Sequence, residues 1–239
     1  MPSPHLPTKN QLLASFPRSD FERIALHLQL ITMFQGEALY ENGEKLNYVY
    51  FPTTSIVSLL CVLENGSSAE IAVVGNDGLI GISLFMGGET TSSRAVVQSA
   101  GFGYRLKAQV LKDEIKHAGP VLYYLLHYTQ ALITQMTQTA VCNRHHSIEQ
   151  QVCRLMLLRL DLLQSNSLIM THDSMAIMLG VRRESITEAA SNLQRAGIIA
   201  YARGHITVLN RSQLEATVCE CYKVVKVETD RLKAYQFKV

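Results

Sequence analysis

The sequence contains no tryptophan, no long apolar run and almost no net charge. Although 47% of the 239 residues are hydrophobic, no stretch of about 18 apolar residues is uninterrupted, as a membrane span would require. The densest segment, 155–163, is broken by Arg159 and Asp161. Residues 1–14 hold three of the six prolines and lack a basic segment followed by an apolar one. We therefore expect a flexible tail over 1–14, no secretory signal and a cytoplasmic protein.

Common catalytic motifs are also missing. The sequence has no Gly-x-Ser-x-Gly elbow, no His-Glu-x-x-His motif, no phosphate loop with Gly-Lys-Ser or Gly-Lys-Thr, and no dinucleotide fingerprint that opens a helix. The glycine-rich segment 75–88 is better interpreted as tight β turns than as a phosphate site. We therefore predict that the protein is not an enzyme.

The five cysteines show no recognised metal-binding spacing. A structural disulfide is not expected in a cytoplasmic protein. Cys142 and Cys153 lie near the pair His145 and His146, but their spacing matches no compact zinc motif. In Cys219-Glu-Cys221, two thiols two residues apart do not share a helix face. We therefore predict no metal site, with a thiol redox sensor as a remote alternative.

Two kinds of apolar periodicity divide the chain. Between about 30 and 107, Asn42-Gly43 and Asn65-Gly66 separate runs rich in Val, Ile, Tyr and Phe, which is the pattern of hairpins in an antiparallel sandwich or barrel. From Pro120 onward, apolar residues recur every three or four positions, which predicts a long helix. Its apolar stripe either packs on the chain's own sheet or forms a seam with a second copy. The candidate dimer-interface residues are Leu122, Leu125, Thr129, Leu132 and Met136.

Residues 171–200 predict two short helices joined by a sharp turn. Thr171 is a suitable N-cap, Gly180 supplies the turn, and Gly197 ends a second helix that starts near Arg182. This arrangement describes a helix-turn-helix. The second helix begins with Arg-Arg-Glu-Ser, which suits the major groove because Arg can bond guanine and a carboxylate can accept from cytosine.

Features around this segment agree with a nucleic-acid partner. Apolar runs on both sides of Arg203-Gly204-His205 predict a β-hairpin wing whose tip can contact phosphate. Residues 1–141 carry 9 basic and 11 acidic side chains, whereas residues 166–239 carry 10 basic and 7 acidic ones. The basic excess therefore lies in the part of the chain that holds the helix-turn-helix.

Over residues 15–210 the sequence resembles the Crp/Fnr family of bacterial transcription regulators. Gly180-Val-Arg-Arg-Glu-Ser-Ile is similar to the family's Gly-x-Ser-Arg-Glu-Thr-Val stretch. The resemblance implies an α+β fold with an N-terminal antiparallel β-roll (jelly-roll-like) sensor domain over 15–117. A dimerisation helix over 118–142 and a winged helix-turn-helix domain with a C-terminal helix over 147–239 would follow.

The resemblance also implies which side chains read DNA. Arg183 and Glu184 match the family's base-reading pair, and Thr187 and Glu188 complete the expected set. Because Glu188 stands where the family often has a second Arg, the operator sequence is expected to differ. The residues expected at the DNA backbone are Thr171, His172, Arg182, Ser185 and Arg203.

A phosphate-binding cassette is implied between Gly81 and Ala95. In cyclic-nucleotide binders this cassette has a Glu directly after the glycine and an Arg two residues before the Ala, whereas Ile82 and Ser93 stand here. Arg94 is displaced by one position, which turns a strand side chain to the other face. We therefore expect no cofactor and an effector that is unidentified or absent. The candidate effector-pocket residues are Gly81, Ile82, Ser83, Ser93 and Arg94.

Together these observations predict a homodimeric, sequence-specific DNA-binding transcription regulator. It would read a pseudo-palindromic operator on double-stranded DNA through the helix that starts near Arg182, under the control of a signal at the β-roll. RNA polymerase is a further expected partner if the protein activates, and no membrane is involved. The alternative is an effector-binding regulatory module that acts through a protein partner.

Overall fold

The computed structural model of the chain describes residues 6–117 and 119–235. The strands are β1 (Gln29–Met33), β2 (Ala38–Tyr40), β3 (Tyr48–Pro52), β4 (Ile56–Val62), β5 (Ser68–Val74), β6 (Ser93–Ser99), β7 (Gly101–Lys107), β8 (Ser167–Ile169), β9 (Ile199–Ala202) and β10 (His205–Val208). The helices are α1 (Gln11–Ala14), α2 (Arg18–Ala25), α3 (Ala108–Lys116), α4 (Pro120–His145), α5 (Ile148–Leu163), α6 (His172–Leu179), α7 (Arg183–Arg195), α8 (Arg211–Thr217) and α9 (Glu220–Tyr235).

The strands form three sheets that confirm the expected fold class. A three-stranded sheet has the order β1-β7-β3, with both pairs antiparallel, and a four-stranded sheet has the order β2-β6-β4-β5. The third sheet, β8-β10-β9, is also antiparallel and belongs to the C-terminal part of the chain. An antiparallel N-terminal domain, a long helix and a C-terminal winged helix-turn-helix therefore follow one another along the chain.

Only one of the two Asn-Gly pairs closes a hairpin. Asn65-Gly66 lies between the neighbouring strands β4 and β5, and Gly66 adopts a positive φ of 82°. Asn42-Gly43 also forms a tight turn, but β2 pairs with β6 and β3 pairs with β7. The expected second hairpin is therefore corrected, because a turn signal sets the local backbone and not the choice of strand partner.

The N-terminal segment is ordered from Leu6 onward, which corrects the expected flexible tail. Residues 1–5 of that tail lie outside the described residues. Asn10 is fully buried, and its amide donates to the carbonyls of Pro52 and Gly78 at 2.8 Å each, while its oxygen accepts from the N–H of Leu13 at 3.0 Å. The segment is therefore part of the core of its domain.

Helix α4 has two apolar faces, and the structure assigns them differently from the sequence prediction. Leu125, Thr129 and Leu132 are at most 4% exposed, so they pack inside their own chain. Leu122 and Met136 are half-buried. The dimer prediction is therefore wrong for Leu125, Thr129 and Leu132 and stays a prediction for Leu122 and Met136, because periodicity shows that a helix has an apolar face without showing what covers it. The helix extends to His145 rather than ending at 142, and residue 118 lies outside the described residues.

The described chain divides into two compact units. The first holds the residues up to Leu59, Val74–Ile133 and the residues from Glu228 onward, and the second holds Leu60–Val73 and Thr134–Val227. Most of the β4–β5 hairpin is therefore grouped with the helix-turn-helix. In the second unit, α5 begins with a capping box, in which Ser147 and Gln150 exchange hydrogen bonds.

Asn10 provides a test of the N-terminal segment. Asn10→Ala removes both amide bonds and leaves the carbonyls of Pro52 and Gly78 buried without this donor. We expect the free energy of unfolding to fall by about 2–4 kcal/mol, measured by urea denaturation. The exposed neighbour gives the control, since Lys9→Ala should change it by less than about 0.5 kcal/mol. Equal values for the two variants would contradict the assignment.

Candidate nucleic-acid interface

Two capped helices build the helix-turn-helix as the sequence predicts. The Thr171 hydroxyl accepts from the N–H of Ser174, and the Ser174 hydroxyl accepts from the N–H of Thr171, so α6 starts with a capping box. Gly180 then adopts a left-handed conformation with φ 66°, which a side chain would disfavour. The shared core of the two helices includes Met175, Leu179, Ile186, Ala189 and Leu193.

Helix α7 separates its apolar and polar residues onto two faces. Ile186, Ala189, Ala190 and Leu193 are buried, which fixes the rotation of the helix about its axis. The polar face carries every predicted base-reading residue. The exposed residues on this side are Arg182, Arg183, Glu184, Thr187, Glu188, Ser191, Gln194 and Arg195, and Ser185 is half-exposed.

Ser191 and Arg195 were not predicted from the sequence as part of the polar face. Ser191 lies three and four residues after Glu188 and Thr187, and Arg195 lies four residues after Ser191, so the helical periodicity that found the core could have found them. The exposed surface of α7 therefore extends over three turns rather than the two that hold the predicted residues.

Arg183 is oriented by an acidic neighbour. Its Nε lies 3.4 Å from Oδ1 of Asp173 in α6, and both side chains are more than 60% exposed. An exposed ion pair of this kind stabilises by no more than about 1 kcal/mol. The guanidinium is therefore directed by Asp173 and remains available to another acceptor.

His172 connects both helices of the motif to the wing. Its Nδ1 lies 3.0 Å from Oγ1 of Thr187, and its ring stacks on Tyr201 with centroids 4.3 Å apart. The Thr187 hydroxyl donates to the carbonyl of Arg183 at 3.1 Å, so it accepts from His172 Nδ1–H. His172 was predicted to contact the DNA backbone and Thr187 to contact a base. In the structure these two side chains are hydrogen-bonded to each other.

The wing forms where it was expected. Strands β9 and β10 are antiparallel and joined by Arg203 and Gly204, both with positive φ, of 51° and 83°. Two successive left-handed residues are the signature of a tight hairpin turn. Arg203 is exposed at its tip, and Ile206 and Val208 anchor the hairpin in the core.

The candidate effector residues lie at a turn and on a neighbouring strand. Gly81, with φ 105°, precedes a short 3₁₀ helix that begins with Ile82 and Ser83. Ser93 is buried, and its hydroxyl lies 3.0 Å from that of Thr91.

Arg94 follows Ser93 on β6, and only the latter is buried, as alternation along a strand requires. The Nε of Arg94 lies 3.0 Å from a carboxylate oxygen of Glu41. The guanidinium that a cyclic phosphate would need is therefore paired with Glu41.

Four side chains of types that can bind metal ions converge in the second unit. Cys142, His146, Cys219 and Cys221 place one donor atom each within 4.8 Å of all the others. The sulfur atoms of Cys219 and Cys221 therefore lie close together, although their spacing led us to expect that the two thiols would not share a face. Cys219 precedes the first residue of α9, so the two thiols are not bound by the geometry of one helix face. Cys153 and His145, which were considered with Cys142, are outside the group.

Comparisons with known proteins agree with this architecture. Residues 32–118 match the model of the cyclic nucleotide-binding domain, and residues 150–217 match that of the Crp-like helix-turn-helix domain. No curated protein matches the chain. None of the helices in residues 6–117 and 119–235 combines the length and hydropathy that a bilayer span requires.

Solved structures show the same fold at low sequence identity. A transcriptional regulator of the Crp/Fnr family from Eubacterium rectale has a TM-score of 0.70 at 17% identity, over 88% of this chain and 98% of that one. FixK2 from Bradyrhizobium japonicum has a TM-score of 0.68 at 18% identity, over 80% and 98%. The regulator CLP from Xanthomonas campestris, described as responsive to c-di-GMP, has a TM-score of 0.64 at 14% identity, over 80% and 99%.

A cyclic nucleotide-binding domain followed by a Crp-like helix-turn-helix domain defines a class of DNA-binding transcription regulators. The two domain matches, in this order along the chain, support a regulator of the Crp/Fnr family within this class, as the sequence resemblance implied. The family consists of regulators rather than enzymes.

His172 gives the motif a pH dependence. Burial and the nearby Arg183 charge hold the pKa of His172 below its ordinary value. In addition, its buried Nε2 has no hydrogen-bond partner among the described residues, so a proton there finds no acceptor. Because the unfolded chain binds this proton more readily, stability is lost as pH falls through about 6.5. We expect His172→Gln to reduce the decrease in melting temperature between pH 7 and 5; an unchanged pH profile would contradict this.

Proposed function

We propose that the protein is a homodimeric, sequence-specific transcription regulator that reads a pseudo-palindromic operator with α7. The observation that carries this proposal is the first turn of that helix. Arg182, Arg183 and Glu184 are exposed there, and Ile186 in the same turn is fully buried. The buried apolar face fixes α7 in the domain, and the arginines at its start can each donate two hydrogen bonds to one base. These are the properties of a helix that reads the major groove.

The polar face of α7 supports a division of roles. Arg183 and Glu184 would bond base edges, with Thr187 and Glu188 one turn further on. Arg182 at the N-cap, with Thr171, Ser185 and the wing residue Arg203, would contact the DNA backbone. His172 would act through Thr187 as a positioning residue, since those two side chains are bonded to each other.

Dimerisation is proposed along the outer face of α4. Tyr123, Leu126 and Ile133 are 45–53% exposed although they are large and apolar. Further exposed residues of α4 continue this face. Successive residues on it are alternately three and four positions apart, which is the spacing of a coiled-coil seam. This seam consists of Tyr123, Leu126, Gln130, Ile133, Thr137 and Ala140. The two recognition helices would then lie about 34 Å apart, in successive major grooves.

The signal would act at the N-terminal domain by a chemistry other than the usual cyclic-nucleotide contacts. Arg94 is paired with Glu41, and the Ser93 hydroxyl contacts Thr91. Ser93 stands where the family has an Arg and carries no guanidinium, and Arg94 would have to give up its pair with Glu41 to bind a phosphate. We propose an effector without a cyclic phosphate, or control without a small molecule.

Base reading is tested with two neighbouring arginines. Arg183→Ala should cost about 1–3 kcal/mol on the operator and relax the preference at one base position. Arg182→Ala should weaken binding to all sequences alike. It should also reduce the slope of log binding constant against log salt concentration by about one unit per subunit. Gel shifts over a salt series measure both effects.

The control for these variants is Arg18→Ala, which replaces an exposed arginine of α2. It should leave binding unchanged. Equal losses on operator and random DNA for Arg183→Ala would reject the base-reading role. The operator itself comes from selection on random DNA, and failure to enrich any motif would favour action through a protein partner.

The α4 seam is tested with charge substitutions. Leu126→Glu and Ile133→Glu place a carboxylate in the proposed interface, so we expect the dimer to dissociate at micromolar concentration in sedimentation velocity runs. Leu30→Glu makes the same change at a leucine of β1 that is similarly exposed, 45% against 53% for Leu126, and should remain dimeric. A dimeric Leu126→Glu variant would contradict this interface.

A further inference from the structure

Two distant parts of the chain bring three thiols and an imidazole together. Cys142 and His146 lie at the C-terminal end of α4, one helical turn apart. Cys219 and Cys221 lie 77 and 79 residues after Cys142, at the start of α9. The three cysteines are at most 4% exposed and form a small core cluster of their own, with Val218 packed against it.

The donor atoms have nearly the spacing of a tetrahedral metal site. The Sγ atoms of Cys142 and Cys219 are 3.5 Å apart, and the Sγ of Cys221 is 3.5 Å from Nδ1 of His146. Zinc–sulfur bonds of about 2.3 Å and zinc–nitrogen bonds of about 2.0 Å place tetrahedral donors about 3.5–3.8 Å apart. Since no two donors are more than 4.8 Å apart, small side-chain rotations suffice to close the shell.

A carboxylate lies on the far side of the imidazole. While Nδ1 of His146 faces the thiols, its Nε2 lies 3.3 Å from Oε2 of Glu220. Metal-bound histidines commonly donate their second N–H to such a carboxylate, which fixes the tautomer and the ring orientation. This is an observation independent of the donor cluster, and it makes Nδ1 the ligand atom.

A buried cation is placed to balance the charge. Three thiolates and one divalent ion carry a net charge of −1. Arg154 in α5 is 4% exposed, and its guanidinium lies beside the Cys142 thiol as well as 3.1 Å from Oγ1 of Thr139. Buried charges are stable only when they are paired. The site therefore has an inner set of donors, an orienting carboxylate and a counter-charge.

We propose that Cys142, His146, Cys219 and Cys221 bind one thiophilic divalent ion, with Zn²⁺ as the expected occupant. Four protein donors leave no open position, which is the arrangement of a structural rather than a catalytic site. An iron–sulfur cluster fits less well, because its ligands bind different iron atoms and lie farther apart. A Cys142–Cys219 disulfide would require the sulfurs to approach to about 2.05 Å.

The ion joins the end of the long helix to the C-terminal helix. Cys142 and His146 belong to α4 and the residue after it, whereas Cys219 and Cys221 belong to the segment that starts α9. All four residues lie in the unit that contains the helix-turn-helix. The bound ion would thereby link the C-terminal end of α4 to the start of α9 within the second unit.

Metal analysis of the untagged full-length protein tests the proposal. After purification under reducing conditions, we expect one zinc per chain by native mass spectrometry. Replacement by Co²⁺ should give thiolate-to-metal charge-transfer absorption and the visible bands of a tetrahedral site. Removing the ion from the wild type with a chelator should lower the melting temperature by several degrees, and zinc should restore it. This measurement does not depend on whether a variant folds.

Variants assign the ligands. Cys142→Ser and Cys219→Ser should each lower zinc affinity at least tenfold, whereas Cys61→Ser, at the exposed cysteine, should retain the metal. His146→Cys keeps four donors and should bind zinc, in contrast to His146→Ala. Glu220→Gln should weaken binding about tenfold by loosening the imidazole.

Four results would overturn the proposal. They are the absence of tight metal binding in the wild type, full metal binding in both cysteine variants, the absorption of an iron–sulfur cluster, and a mass that shows a Cys142–Cys219 disulfide in the native protein.

Discussion

A buried ion pair between Arg159 and Glu70 is the interaction on which the second unit depends. Arg159 in α5 is 2% exposed and Glu70 in β5 is 8% exposed, and an Nη of Arg159 also lies 3.2 Å from the sulfur of Met178 in α6. Another Nη donates to the carbonyl of Leu155. Removing one partner of such a pair leaves a buried charge, at a cost of about 3–5 kcal/mol. The Arg159 guanidinium therefore contacts β5, its own helix α5 and α6, the first helix of the helix-turn-helix.

The β4–β5 hairpin is consequently part of two descriptions of the molecule. By sequence it lies within the cyclic nucleotide-binding domain, and by packing most of it belongs to the helix-turn-helix unit. The side chain of Gln135 in α4 accepts from the N–H of Val73 at 2.6 Å and donates to its carbonyl at 3.2 Å, as a neighbouring strand would. Ala69 lies close to the turn at Gly180. A change in the position of this hairpin would therefore change the packing of the second unit, which contains the helix-turn-helix.

The features that form as predicted are those that neighbouring residues in the sequence decide. The cap at Thr171, the left-handed turn at Gly180 and the wing hairpin depend on residues within a few positions of one another, and all three form as predicted. The burial of Leu125 on the inner face of α4 depends on residues distant in sequence that cover it. The approach of Cys142 and Cys219 depends on how segments 77 residues apart fold back. Neither is encoded in spacing along one element.

If Arg183 reads a base as proposed, its pair with Asp173 has a kinetic consequence for the search for an operator. Its partner can be displaced at a cost of no more than about 1 kcal/mol, and a bidentate guanine contact is worth about 1–3 kcal/mol. On random sequence, where no guanine is aligned, Arg183 would remain with Asp173 and add little to the grip on DNA. The protein would then slide readily over unrelated sequence and stop where the correct base replaces the carboxylate, and Asp173 would shorten the residence time on wrong sites.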